Sequence, residues 1–146
     1  EDKFNWILPS FITQFSIVKR KNDTTIFEPK SSVIAVSQGS IMAKKVADAS
    51  LVSTVAKSRQ NIIDLMLKPD IHFWGDADKV IEKFENQSTE LSFVVAKKLP
   101  PIDMWVACSK RTDQESIEAL KTQWLEAQKS SKFQTLHTRF LQVFLR

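Results

Sequence analysis

The chain has 146 residues, of which 42% are hydrophobic and 26% are charged, and its formal net charge is +4. This composition is ordinary for one globular domain or two small lobes, with enough apolar material for a core. No uninterrupted apolar run of about 18 residues occurs, so we expect no transmembrane helix. The acidic start, Glu1 to Phe4, lacks the features of a signal peptide, although a mature secreted chain would begin in the same way.

The residues that most often carry catalysis or metal binding are few in this chain. Cys108 is the only cysteine, which excludes a disulfide within the chain, and its apolar neighbours predict a buried strand position. His72 and His137 have no acid or cysteine at metal-ligand spacing beside them, so we expect neither a metal nor a cofactor. No serine lies in a nucleophile-elbow pattern, so we do not expect an enzyme. The basic residues form short, scattered groups, which makes a nucleic-acid partner unexpected.

The stretch from Val33 to Val46 has the pattern of a strand, a glycine turn and a helix. Val33–Val36 is an apolar, β-branched run that predicts a buried strand. Gly39-Ser40 predicts a tight turn, and the apolar spacing that follows predicts a helix from about Ser40 to Asp48 with Ser40 as its cap. The first amides of such a helix suit a carboxylate or phosphate, although an ordinary capped turn has the same local sequence.

Strands and helices alternate through most of the remaining sequence. The predicted strands are Phe11–Val18, Leu51–Ala56, Asp70–Trp74, Leu91–Ala96 and Met104–Cys108, with a loop over Lys97–Asp103. The predicted helices begin at Ser58, Ala77, Thr112 and Ser130, and Pro69 ends the first of them. This alternation predicts an α/β fold with a mostly parallel sheet and flanking helices.

A second glycine turn is predicted at Gly75-Asp76, so both glycine turns would follow the carboxyl ends of strands, where α/β proteins bind ligands. Asp76 and Asp78 are candidate acids there, with helix capping as the alternative role for both. One cleft could then hold a zwitterion, with its carboxylate on the helix amides and its ammonium on an acid. Trp74 adjoins the turn and could line the pocket, whereas Trp124 has the spacing of a core residue.

The order of these segments resembles bacterial extracellular solute-binding proteins of family 3, the periplasmic amino-acid-binding type. Phe4–Pro9 is similar to the family's F-x-W-x-x-P segment, and Phe15–Asp23 is similar to the strand that crosses into the second lobe. Val33–Ser40 resembles its I-G-V-x-x-G-S/T strand and turn. Ile62–Trp74 resembles its L-x-x-G-x-x-D-x-W stretch, and Trp105–Lys110 its x-x-A-x-S-K strand. The resemblance covers nearly the whole chain.

By position, the resemblance implies that Gly39 and Ser40 hold the α-carboxylate of a ligand. It implies that Asp76, or less readily Asp78, takes the α-amino group, and Trp74 would complete the ligand-binding set. The chain departs from the family at His72, which stands where the family has an acid.

The resemblance also implies a division of the chain into lobes. Residues 1–30 would be a partial first lobe with the crossing strand, 31–97 the second lobe, and 98–146 the return strand and C-terminal helices of the first lobe. The family carries about 70 to 80 further residues before this point, including an arginine for the ligand carboxylate. One complete lobe and part of another would leave apolar strand surface exposed, which predicts a homodimer.

Two functions follow as expectations. The first is binding of an amino acid or similar carboxylate by lobe closure, in the periplasm or outside the cell, together with an ABC transporter or a sensor in the membrane. The second is a structural or interaction module of the same fold that has lost ligand binding and forms a dimer, in which the two copies could exchange elements. The departure at His72 and the missing arginine favour the second.

Overall fold

A computed structural model describes residues 3–87 and 91–144 of the chain. Its strands are β1 (Phe4–Arg20), β2 (Ile34–Ser37), β3 (Ser53–Ala56), β4 (Phe73–Ala77) and β5 (Phe93–Ser109). Its helices are α1 (Ile41–Asp48), α2 (Arg59–Met66), α3 (Asp78–Gln87), α4 (Gln114–Gln128) and α5 (Ser131–Phe144). The strands form one sheet in the order β3-β2-β4-β1-β5, in which β2 is parallel to β3 and β4 and β1 is antiparallel to β4. The predicted α/β class is confirmed.

Side-chain caps fix where three of the helices begin. Ser40 Oγ accepts a hydrogen bond from the Ala43 amide at 3.0 Å, and Ser58 Oγ accepts one from the Asn61 amide at 3.2 Å, as the sequence predicts. The cap of α4 is Asp113 rather than the predicted Thr112, since its Oδ1 accepts from the Ser116 amide at 2.8 Å. A carboxylate is the stronger acceptor at the positive end of a helix, which explains the one-residue difference.

The two long strands correct the predicted boundaries around prolines. β1 continues through Pro9, and β5 continues through Pro100 and Pro101, so the loop predicted over Lys97–Asp103 is wrong. Proline removes only one amide and is tolerated where that amide has no partner strand. β5 lies at the edge of the sheet, and the register of β4 on β1 covers only Phe15 to Lys19, so all three prolines have an unpaired side available.

The boundaries of β4 correct a second prediction. Gly75 and Asp76 lie inside this strand rather than in a turn, and all five of its residues are buried. A Cβ atom on Gly75 would lie 2.2 Å from Met42 Cε and 3.1 Å from Met42 Cγ. Gly75 therefore permits α1 to pack directly on the strand, and turn formation is not the reason for this glycine.

Contacts group the chain into two units. The larger unit comprises Gln14–Pro101, and the smaller one comprises Glu1–Thr13 with Ile102–Arg146. In the smaller unit, Ile7, Leu8 and Ile117 form a buried cluster against which Val106, Cys108 and Trp124 pack. The predicted apolar roles of Cys108 and Trp124 agree with these contacts. Within the described ranges, every helix is too short or too polar to cross a membrane.

The approach of α1 to β4 gives a first prediction. Gly75→Ala should lower the free energy of unfolding by about 1–3 kcal/mol, because the added methyl group overpacks a buried contact with Met42 and Ile34. Urea denaturation measures the change. Met42→Ala alone should cost about 2–5 kcal/mol by leaving a cavity.

The matched test is the double variant. Combining Gly75→Ala with Met42→Ala should cost less than the sum of the two single changes by about 1 kcal/mol, because the new methyl group then occupies space that Met42 has vacated. Additive costs would contradict a direct contact between these two positions.

Candidate functional site

The turn that follows β2 is built around Gly39. Its φ is +69°, it is exposed, and a Cβ atom added to it would meet nothing within 4 Å. The backbone conformation, and not crowding, therefore favours glycine here. Ser37 O accepts from the Ser40 amide at 3.2 Å, which closes the turn and directs the chain into α1.

The amino end of α1 retains the properties that suit an anion. The cap uses the Ala43 amide, which leaves the amides of Ile41 and Met42 as the helix donors without an intrahelical partner. The first turn of α1 carries no acidic side chain that would neutralise the positive end of the helix. Gly39 and Ser40 therefore occupy the positions that the sequence predicts for a carboxylate site.

Asp76 lies near the carboxyl end of β4, and its side chain is buried in a polar row of residues. It is 7% exposed, and its Oδ1 accepts from the Ala77 amide at 2.8 Å. Ser16 of β1 is its cross-strand partner. The register of β2 on β4 pairs Ala35 with Trp74, so two residues further along Ser37 is level with Asp76. The side chains of Ser37, Asp76 and Ser16 therefore share one face of the sheet.

Three side-chain oxygens are buried without a hydrogen-bond partner among the described residues: Ser16 Oγ and Ser37 Oγ, which are level with Asp76 in the sheet, and Asp78 Oδ1, two residues further along the chain. Buried acceptors of this kind are uncommon, because each one left unpaired costs free energy. Asp78 is the first residue of α3, where a carboxylate also suits the helix dipole, so the predicted capping role and a ligand role remain compatible for it.

Trp74 differs from the sequence-based expectation. Its side chain is 0% exposed and packs edge-on against Phe84 and Phe93, with ring centroids 5.5 and 5.4 Å away. Because β4 begins at Phe73, Trp74 lies inside a buried strand rather than beside a turn. In this structure Trp74 is a core residue whose side chain is fully buried.

A polar cluster that the sequence analysis did not predict lies at the opposite end of β4. His72 Nδ1 is 2.8 Å from Asp23 Oδ2 and 3.1 Å from Thr25 Oγ1. Asp23 also accepts from Arg20 Nη2 at 3.2 Å and from the Thr25 amide at 2.8 Å. Arg20 in turn donates to Met66 O at 2.8 Å. These hydrogen bonds join residues nearly 50 positions apart, and only the turn after Arg20 carries a local signal for them.

Two opposing effects set the ionisation of Asp23. Burial by itself raises the pKa of this carboxyl, but hydrogen bonds from Thr25, His72 and Arg20 outweigh it and hold the pKa well below its ordinary value of 3.8. His72 and Asp76 are four residues apart on an extended strand, about 13 Å at ~3.3 Å per residue. His72 therefore belongs to the Asp23 cluster and not to the site at the carboxyl end of β4.

No three or more His, Cys, Asp and Glu side chains among the described residues are grouped so that they could hold a metal ion. His137 lies in α5, but its side chain is outside the part of the structure that can be described.

The fold is that of the periplasmic binding proteins, with two long strands that each contribute to both units and a candidate site at the carboxyl ends of parallel strands. No family model matches the sequence, and no curated protein sequence matches it either. Solved structures do match, and all of those described below are under 25% identical to this chain.

Three of these structures illustrate the likeness. A mutant of ArgBP from T. maritima is 17% identical with a TM-score of 0.74, and the match covers 97% of this chain and 63% of that one. A second structure is AbpA from Streptococcus pneumoniae, an amino acid ABC transporter substrate-binding protein bound to L-arginine. It is 14% identical with a TM-score of 0.76, and the match covers 99% of this chain and 64% of that one. The GluR0 ligand binding core in complex with L-glutamate is 13% identical with a TM-score of 0.79, and the match covers 97% of this chain and 65% of that one.

The chain thus spans just under two thirds of the length of these proteins. The comparisons support the predicted resemblance and establish the fold. At this level of identity they do not assign roles to individual residues such as Gly39, Ser40, Asp76 and Asp78.

The Asp23 cluster gives a prediction about acid stability. Asp23→Asn should lower the free energy of unfolding at neutral pH, because the ionised carboxylate accepts hydrogen bonds from three side chains. The folded pKa is below the ordinary value, so this stabilisation is complete above about pH 4 and is lost as the pH falls through the folded pKa. Urea unfolding at pH 7 and in the acid range measures it.

The difference between wild type and Asp23→Asn should therefore shrink as the solution is acidified below the ordinary pKa of 3.8. Asp48→Asn is the matched control, because the pair of Asp48 with Lys44 is exposed and contributes little. A pH-independent difference for Asp23→Asn would contradict the assignment.

Proposed function

We propose that the chain binds a small amino-acid-like solute at the carboxyl ends of β2 and β4. One observation carries the proposal: the buried oxygens of Ser16, Ser37 and Asp78 have no partner among the described residues, and Ser16 and Ser37 lie beside Asp76 in the sheet while Asp78 follows it by two residues. An apolar core would not place unpaired acceptors together, whereas a ligand that donates several hydrogen bonds would satisfy them. An ammonium group is such a donor.

The two ends of the site favour opposite charges. The Asp76 carboxylate and the neighbouring hydroxyl oxygens suit the ammonium group of a ligand, in charge-assisted hydrogen bonds. The amides of Ile41 and Met42, at the positive end of α1, suit its carboxylate. Gly39 and Ser40 hold those amides in place by forming the turn and the cap. A zwitterion would satisfy both ends, and neither step requires a reaction.

The neighbouring structures support this ligand class by what they contain. One is bound to L-arginine and another to L-glutamate, both of which are α-amino acids. We propose that residues 31–97 form the second lobe of such a binding protein. Residues 1–30 and 98–146 would belong to the first lobe and to the strands that link the lobes. Closure of the lobes on the ligand would be the binding step.

The setting of the function follows from the same neighbours. AbpA is named as the substrate-binding protein of an amino acid ABC transporter. We propose that this chain likewise acts in the periplasm or outside the cell and delivers its ligand to a membrane transporter or a sensor. The proposal is binding and not catalysis, and it requires no cofactor.

The alternative is a module of the same fold that does not bind solutes. The observation that favours it is the burial of Asp76, which is 7% exposed and already accepts a hydrogen bond from the Ala77 amide. The departure from the family at His72 does not support the non-binding module, because His72 lies in the Asp23 cluster at the other end of β4.

A thermal-shift screen against the twenty amino acids and small carboxylates tests the proposal. A ligand present at one hundred times its dissociation constant should stabilise the fold by about 2.7 kcal/mol. Asp76→Asn should abolish the shift, because it removes the charge that pairs with the ammonium group and keeps the shape of the side chain. Asp78→Asn and Ser37→Ala should each weaken binding, about tenfold for a lost hydrogen bond.

Asp48→Asn is again the control, since this exposed aspartate ends α1 at the far side from its amino terminus and should not change the shift. Titration calorimetry of any hit gives the dissociation constant. If no compound shifts the wild-type protein, the non-binding module is the better description. A shift that survives in Asp76→Asn would place the ligand elsewhere.

A further inference from the structure

The smaller unit has one covered and one uncovered face of strand. Along β5, Asp103, Trp105, Ala107 and Ser109 are exposed and alternate with half-buried residues. The half-buried Val106 and Cys108 pack against the cluster that contains Ile117 of α4. Since side chains alternate across a strand, Asp103 and Trp105 point away from α4.

The β1 part of the same unit adds two exposed rings. Phe4 is 48% exposed and Trp6 is 52% exposed, and their ring centroids are 6.1 Å apart. Trp105 is 48% exposed, and it lines a groove together with Trp6, Asp103 and Met104. We call the surface formed by Phe4, Trp6, Asp103 and Trp105 the aromatic face.

We infer that a second copy of this chain covers the aromatic face. An aromatic side chain buries about 150–250 Å², so the three half-exposed rings offer roughly 300 Å² on each copy, which is the size of an interface centre and not of a whole interface. A standard interface takes about 800 Å² from each partner and has an aromatic, apolar centre inside a polar rim. The three rings supply that centre.

The face is also complementary to itself. A two-fold interface brings the same patch of each copy together, so the patch must contain both donors and acceptors. The indole N–H groups of Trp6 and Trp105 are donors, and the carboxylate of Asp103 beside them is an acceptor. Two copies related by a two-fold axis can pair these groups reciprocally.

This inference is independent of the proposed solute site. The aromatic face lies wholly in the smaller unit, whereas Asp76, Ser16, Ser37 and the amino end of α1 lie in the larger one. The failure of either proposal therefore leaves the other unaffected.

Size-exclusion chromatography with light scattering, run over a hundredfold range of concentration, tests the inference. The wild-type chain should show twice its mass of 16.7 kDa at high concentration. Trp6→Gln and Trp105→Gln should each weaken the dimer by roughly 30-fold, as expected for a tryptophan near the centre of an interface. Leu125→Gln is the matched control: Leu125 is 55% exposed on α4 of the same unit, and its replacement should leave the dimer unchanged.

Hydrogen exchange of the wild-type chain tests the same inference without any substitution. Raising the concentration should increase protection of the segments 4–12 and 102–109 and leave β2 and β3 unchanged. A monomer at every concentration would overturn the inference. So would a dimer that persists unweakened in Trp6→Gln and Trp105→Gln, since another surface would then be the interface.

Discussion

The contact between Met42 of α1 and Gly75 of β4 is the constraint on which the rest of the larger unit depends. A Cβ atom at position 75 would force the Met42 side chain to move, so the glycine allows Met42 to pack directly on the strand. Ser40 caps the helix two residues before Met42, and Asp76 follows Gly75 directly. Because side chains alternate along a strand, Gly75 faces α1 and Asp76 points to the other face, so the amino end of α1 and the carboxylate approach each other only at the carboxyl edge of the sheet. A change in core packing here would alter the proposed ligand site as well.

Much of this architecture could be predicted from the sequence, because its signals are local. The caps at Ser40 and Ser58 and the apolar spacing behind them specify α1 and α2 without reference to the rest of the fold.

The boundaries of β4 could not be predicted in this way. Glycine in an apolar run is consistent with a turn or with close packing, and the residue that decides between them is Met42, far away in the sequence. The prolines of β1 and β5 mislead for a similar reason, since only the strand order shows which amides need no partner.

In the candidate site, too, some residues could be predicted from local sequence signals and others only from the strand register. Gly39 and Ser40 are adjacent in sequence, so their role in the turn could be predicted from type and spacing alone. Ser16 and Ser37 become relevant only through the register that places them on either side of Asp76. For Trp74 the structure differs from the expectation. The turn predicted next to it, at Gly75-Asp76, suggested a pocket, whereas edge-on contacts with Phe84 and Phe93 place the Trp74 ring in the core.

The polar residues at the two ends of β4 show how structural and functional polar residues can be told apart. Asp23 is nearly buried, but each of its oxygens has a donor, so its cluster stabilises the fold without any ligand. Within the part of the chain that the structure describes, the side-chain oxygens of Ser16, Ser37 and Asp78 have no such partners. The indole nitrogens of Trp74 and Trp124 also have no partner there, but each of these rings packs edge-on against phenylalanine, which offers no acceptor. Unpaired nitrogens inside aromatic clusters are a cost of packing large rings. Unpaired oxygens beside a buried carboxylate, at the carboxyl ends of parallel strands, are instead where a solute with several donors would gain most from binding.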